Sequence, residues 1–135
     1  MGSPPLTAFL LDTHVWLWGV NEPDRLPASV RRELEVTSEP PRLSPISFWE
    51  VLLLAEKGRI ALSPNPQTWL REAARSVREV PLTFEVAAAS RRLRLPHEDP
   101  ADRFIAATAK VFGFRLVTAD TRLLHCSDVE TLWGE

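Results

Sequence analysis

Two short apolar runs, each followed by an aspartate, constrain the fold more than any other feature of this chain. Ala8-Phe9-Leu10-Leu11 stops at Asp12. The run is too brief for a buried helix of its own and suits a buried central strand. Arg115-Leu116-Val117-Thr118 repeats the design and leads into Ala119-Asp120. Arg42-Leu43-Ser44 reads as a second short strand, Glu79-Val80-Pro81-Leu82 as extended, and Val129–Thr131 as a last edge strand. Helical stretches lie between them. Asp12 or Thr13 can cap a helix through His14–Trp18. Pro27 opens another, with Val30, Leu34 and Val36 as its inward stripe. Ser47 is placed to cap a third, with Glu50 at the capping-box spacing and Gly58 as its stop. Pro66–Val77 is a fourth, and Thr83 caps a fifth running to Leu93. The last starts at Ala101, carries Phe104, Ile105, Thr108, Ala109 and Phe112 on its apolar side, and closes at Gly113.

Strands alternating with helices imply an α/β fold, a parallel sheet with helices on both faces. Ligands of such open sheets bind beyond the carboxyl ends of the strands. The two aspartates that follow strands therefore fall where a site belongs. The 135 residues suit one domain, expected over 6–135 behind a flexible leader at 1–5. With 44% hydrophobic and 25% charged residues, disordered, collagen-like and coiled-coil chains are excluded. The longest strictly apolar run, Val51–Ala55, is far short of the ~20 residues of a membrane helix, so no membrane association is expected. No signal peptide is expected, and Leu6 breaks the myristoylation pattern. Cys126 is alone, so no internal disulfide can form, and a cytoplasmic location is expected. A net charge of −2 names no partner. Fourteen of the sixteen basic residues are Arg, a side chain suited to phosphate.

Four segments set an acid beside structural punctuation: Leu10-Leu11-Asp12-Thr13-His14, Ile46-Ser47-Phe48-Trp49-Glu50, Asp99-Pro100-Ala101-Asp102-Arg103 and Val117-Thr118-Ala119-Asp120. Singly, each has a structural explanation as a helix cap or half of a capping box. Together they raise a chemical question. Asp99 alone would cap its helix, yet Asp102 stands in the same first turn. If Asp12, Glu50, Asp102 and Asp120 converge, their like charges repel unless a cation neutralises them. Oxygen-only ligands favour Mg²⁺ or Mn²⁺. Such an ion, held by few carboxylates and by phosphate oxygens, serves phosphodiester hydrolysis. On this reading, replacing Asp12 or Asp120 by Asn leaves metal-free stability unchanged or higher.

These segments, with Phe104-Ile105-Ala106-Ala107-Thr108-Ala109 after the Asp102-Arg103 pair, resemble the PIN-domain nucleases, specifically the VapC toxins of bacterial type II toxin–antitoxin modules. Four motifs in the right order and at plausible spacing cover nearly the whole chain. The resemblance implies an α/β/α sandwich with a central, mainly parallel sheet. It implies a Mg²⁺- or Mn²⁺-dependent endoribonuclease acting on RNA, a VapB-type antitoxin as partner, and a homodimer. By motif position the metal-binding and catalytic acids fall on Asp12, Glu50, Asp102 and Asp120. A polar residue of the last motif falls on Thr118.

Other residues invite a role. His14 and His97 lie near acids and could act as bases. His125 and Cys126 lack partners at zinc spacing. Arg91, Arg92 and Arg94 are a solvated helix end or a contact to RNA phosphates. Trp16 and Trp18 face different sides of one helix, so one is expected in the core and the other at a partner surface. Trp49 and Trp69 are expected in the core rather than as base-stacking platforms. An antitoxin helix is expected to use Trp16 or Trp18 and Leu52, Leu53 and Leu54 as groove walls, and to insert an Arg into the acidic pocket. Two alternatives differ in class. One is a catalytically idle binding module that works through its antitoxin complex. The other is a phosphotransfer protein with an Asp nucleophile, which usually has a Lys nearby; only Lys57 and Lys110 exist, and neither sits in an acidic motif.

Overall fold

The structure, a computed structural model, describes residues 8–96 and 98–134. The expected leader at 1–5 and His97 lie outside the described residues. The strands are β1 (Phe9–Leu11), β2 (Arg42–Leu43), β3 (Arg78–Glu79), β4 (Arg115–Val117) and β5 (Thr131–Leu132). The helices are α1 (Thr13–Asn21), α2 (Ala28–Val36), α3 (Pro45–Glu56), α4 (Pro66–Ala74), α5 (Phe84–Ser90), α6 (Pro100–Phe112) and α7 (Thr121–Leu124). The sheet order is β3-β2-β1-β4-β5, and every pair is parallel.

Side chains alternate across the sheet, as a strand requires. Leu10 and Leu116 point to one face, where they join Val86, Ile105 and Leu123 from α5, α6 and α7. Phe9, Leu11 and Val117 point to the other, with Val15, Val30, Val51 and Trp69 from α1 to α4. These are the two helical layers of an α/β/α sandwich. β1 and β4 are buried on both faces, which explains why their sequences are uninterrupted apolar runs rather than alternating ones. The chain builds outward from β1 through β2 and β3, then crosses to β4 on the opposite side of β1. The crossover makes the carboxyl ends of β1 and β4 the topological switch point, the crevice where open sheets of this kind bind ligands.

Several local expectations shift. Ser44, not Ser47, caps α3: its Oγ accepts from the Ile46 amide at 3.1 Å, and Pro45 supplies a pre-set first helical turn. Ser47 is thereby moved inside the helix, where it is fully buried. Val36 ends α2 at 77% exposure and does not join the inward stripe. β5 begins at Thr131, later than expected, because it pairs with Leu116 and Val117. Gly58 and Gly113 both follow helices with positive φ, 71° and 73°, a conformation that costs an L side chain. Among the described residues no helix is long and apolar enough to cross a membrane.

Candidate active site

Four elements deliver acids to one place. Asp12 follows β1 and caps α1, its Oδ1 accepting the Thr13 amide at 2.8 Å. Asp120 lies beyond β4 and caps α7, its Oδ1 accepting the Arg122 amide at 2.8 Å. Glu50 comes from the second turn of α3. Asp102 comes from the first turn of α6, just inside the cap formed by Asp99, whose Oδ1 accepts the amides of Ala101 and Asp102. Asp12, Glu50, Asp102, Asp120 and Asp99 line one cavity of about 310 Å³, together with His14, Trp18 and Arg122. Asp99 and Asp102 are therefore not alternatives, since both reach the cavity.

Hydroxyls hold two of these acids in place. Thr118, fully buried, donates from Oγ1 to Asp12 Oδ2 at 2.7 Å. The same oxygen accepts the Asp120 amide at 3.1 Å, so Thr118 ties the two strand ends together. Thr13 donates from Oγ1 to Glu50 Oε1 at 2.5 Å. Since that spends its proton, Ser47 Oγ, 2.8 Å away, donates to Thr13. A buried relay from Ser47 through Thr13 thus aims Glu50. Among the described residues, Arg122 brings a guanidinium to the cavity. Its Nη2 lies 3.1 Å from Asp120 Oδ2 and 3.8 Å from Asp102 Oδ2, which puts those two carboxylate oxygens within 7 Å of each other.

The electrostatics divide the acids. Burial pushes the Asp12 carboxyl above its usual 3.8, with Asp120 adding to the effect, while the Thr118 and Thr13 hydrogen bonds and His14 oppose it. Burial also raises Glu50, and the neighbouring Asp12, Asp102 and Asp99 raise it further against the Thr13 hydrogen bond. For Asp120, burial acts upward too, but Arg122 outweighs it through hydrogen bonds and charge and holds the carboxyl below 3.8. A buried and a half-buried acid with disfavoured negative charge, beside three more carboxylates, form a site that welcomes a cation.

Among the described residues, no three His, Cys, Asp or Glu side chains form a ready-made chelate. The carboxylates of the cavity are hard oxygen donors, which fit a divalent ion held by one or two of them and completed by water.

The remaining candidates sort by contact. His14 is exposed, lines the cavity and leans toward the Trp18 ring, 6.1 Å between centroids. Arg91 and Arg94 pair with Glu98 and Asp128, and none of Arg91, Arg92 and Arg94 lines the acidic cavity. Lys110 pairs with Asp128, and neither lysine lines the cavity, so an Asp nucleophile would lack its lysine there. Trp16 is 2% exposed, wedged edge-on against Phe48 and Trp69, and cannot be a partner surface. Trp18 sits at the cavity edge, covered in part by Arg25 and Trp133. Trp49 is 55% exposed, contrary to the core placement expected of it, whereas Trp69 is buried.

Sequence reasoning missed the Ser47–Thr13–Glu50 relay and Arg122. The signal for the first was Thr13 directly after Asp12 with a serine three residues before Glu50. For the second it was a cation two residues after Asp120, in the turn that Asp120 caps.

The PIN domain family matches residues 9–128. Ribonuclease VapC22 of Mycobacterium tuberculosis is 42% identical over 121 residues, covering 87% of this chain and 91% of that protein. Among solved structures, VapBC2 from Rickettsia felis bound to a DNA fragment from their promoter superposes with a TM-score of 0.72 over 95% of this chain and 100% of that one; at 17% identity this likeness bears on the fold alone. FitAcB from Neisseria gonorrhoeae gives a TM-score of 0.67 at 25% identity, over 92% of this chain and 96% of that one.

Proposed function

The chain belongs to the PIN-domain family, and from that premise we propose that it is a VapC-type endoribonuclease toxin, dependent on Mg²⁺ or Mn²⁺ and neutralised by a VapB-type antitoxin. The observation that carries the reading is the convergence of Asp12, Glu50, Asp102 and Asp120, from four separate elements, on one cavity at the switch point of the sheet. The 42% identity to a protein named a ribonuclease supports RNA as the substrate.

In this reading Asp12, with Asp102 or Asp120, would hold the ion directly, and the other cavity acids, Glu50 among them, would face it through water. Bound there, a divalent ion polarises the phosphate and lowers the pKa of an attacking water. Thr118 keeps Asp12 in one rotamer, so its charge is aimed before the ion arrives. Glu50, with proton affinity raised by burial and by three neighbouring acids, accepts the proton of the attacking water, and Thr13 keeps Oε1 fixed while it does so. Arg122 holds Asp102 and Asp120 together and leaves a guanidinium at the cavity for the phosphate.

The antitoxin is proposed to place an Arg among these carboxylates, where its fork replaces the ion's charge. Trp18 remains at the cavity edge as a contact for it. Leu53 and Leu54 line one cavity with α6, while Leu52 lines another with α4. A homodimer in the cytoplasm is the working assembly.

The test is cleavage of an unstructured RNA by metal-stripped protein, with and without added Mn²⁺, for the parent, Glu50→Gln and Asp102→Asn. The proposal expects cleavage only with metal and a loss of at least about hundredfold in both variants. Parent-rate cleavage by both variants sinks it. Tight binding to the antitoxin with no cleavage under any condition would instead make the chain an idle binding module.

A further inference from the structure

A second cavity, about 470 Å³, lies between α3 and α6 beside the acidic one. Its walls are Trp49, Leu53, Leu54 and Phe104, and its edge is formed by Glu50 and Asp99. Both of those acids also line the acidic cavity, so the two share a wall. Trp49 precedes Glu50 in the chain and is more than half exposed, an unusual place for the largest side chain of a mostly apolar helix. We propose that this cavity is a nucleobase subsite, in which a base of the RNA strand next to the scissile phosphate stacks on Trp49. The inference rests on the ribonuclease reading above.

Three observations select a base over other occupants. Among the described residues no Lys or Arg lines the cavity and two carboxylates do, so a phosphate is repelled while an uncharged ring is not. The shared wall means that whatever sits there lies beside the acids, about where a nucleotide flanking the cleaved bond must go. The apolar surface of α3 is divided between this cavity and a separate one toward α4 lined by Leu52 and Ala55, so it offers no continuous trough for a partner helix. An indole face accepts any base, which gives a subsite that positions the strand and tolerates sequence.

The experiment is a double-mutant cycle on kcat/KM with metal-loaded protein. The parent's cleavage site is first mapped on a short RNA, and the nucleotides flanking it are then replaced one at a time by abasic residues. At one flanking position the abasic RNA is expected to lower the parent's kcat/KM by about five- to hundredfold, the range of one base–aromatic stack. Trp49→Ala is expected to show the same loss on intact RNA and no further loss on the abasic one, while Trp49→Phe keeps most of the parent value. Circular dichroism and thermal melting confirm that the variants fold. If the Trp49→Ala and abasic losses simply multiply, or if Trp49→Ala cleaves at the parent rate, the subsite is refuted. Parent-rate cleavage by a Trp49→Ala protein that no longer holds its antitoxin assigns the cavity to that protein partner instead. A parent that cleaves no RNA overturns the nuclease reading along with the subsite, and that result is visible before any variant is made.

Discussion

Thr118→Val exchanges one buried hydroxyl for a methyl of the same shape and asks how much that hydroxyl does. Its Oγ1 donates to Asp12 Oδ2 at 2.7 Å and accepts the Asp120 amide at 3.1 Å. Hydrogen bonds to a charged acceptor are worth about 1.5–3 kcal/mol and neutral ones about 0.5–1.5. The metal-free variant should therefore lose about 2 kcal/mol near pH 8, a fall in Tm of roughly 6 °C for a domain of this size. The loss should shrink at acid pH. Asp12 has a folded pKa above its unfolded 3.8 because it is buried. The folded state thus binds the extra proton, and stability falls as pH rises from 3.8 through the folded value. Removing the Thr118 donor raises the folded value further and widens that window. Urea unfolding of metal-stripped protein at pH 4.5 and pH 8 reads the difference. Thr118→Ser keeps the hydroxyl, so its smaller loss of about 1 kcal/mol should not change with pH. A Thr118→Val penalty equal at both pH values, or below about 0.5 kcal/mol at pH 8, would refute the clamp on Asp12.

Other outcomes follow from the same geometry. Asp120→Asn should abolish RNA cleavage and also lower metal-free stability by about 0.5 kcal/mol at pH 7, because Arg122 and the α7 amide favour its charge while Asn still caps the helix; the folded carboxyl lies below 3.8, so this contribution is present above that pH and fades as pH falls through the folded value. Urea titration at pH 7 and pH 3.5 checks the sign. Arg103→Met should cost about 3 kcal/mol and speed amide exchange across 90–96, since the buried guanidinium donates to the carbonyls of Ser90, Leu93 and Leu95. Gly113→Ala should cost about 1 kcal/mol by thermal melting, because φ is 73° there while no neighbouring atom obstructs a Cβ.

The sheet and the acids were legible in the sequence for one reason. A strand buried on both faces must be apolar throughout, and Leu10-Leu11 and Leu116-Val117 are each soon followed by an acid, so both strand and site are marked by the same break. The helix starting at Pro100 was equally plain, because Asp99, Pro100 and Gly113 are all residues that end or begin helices. What stayed hidden depended on contacts distant in sequence. Ser47 resembled a cap until Pro45 let Ser44 take that place, and its partner Thr13 is 34 residues away. The reversal of expectation at Asp120 comes from the same source. Repulsion among acids predicted relief on neutralisation, but the Arg122 side chain folds back onto Asp120 and makes its charge favourable. Trp49 was misplaced because α3 is apolar on nearly every side, so its sequence carries no signal for which side faces out.

The central claim is that Asp12, Glu50, Asp102 and Asp120 form a divalent-ion site for phosphodiester cleavage. A crystal structure of the protein soaked in Mn²⁺, read from the anomalous scattering of manganese, tests it most directly. The account predicts a peak in the acidic cavity about 2.1 Å from an Asp12 oxygen and from at least one oxygen of Asp102 or Asp120, with waters completing the shell. An empty cavity at saturating Mn²⁺, or a peak held only by acids outside it, contradicts the account.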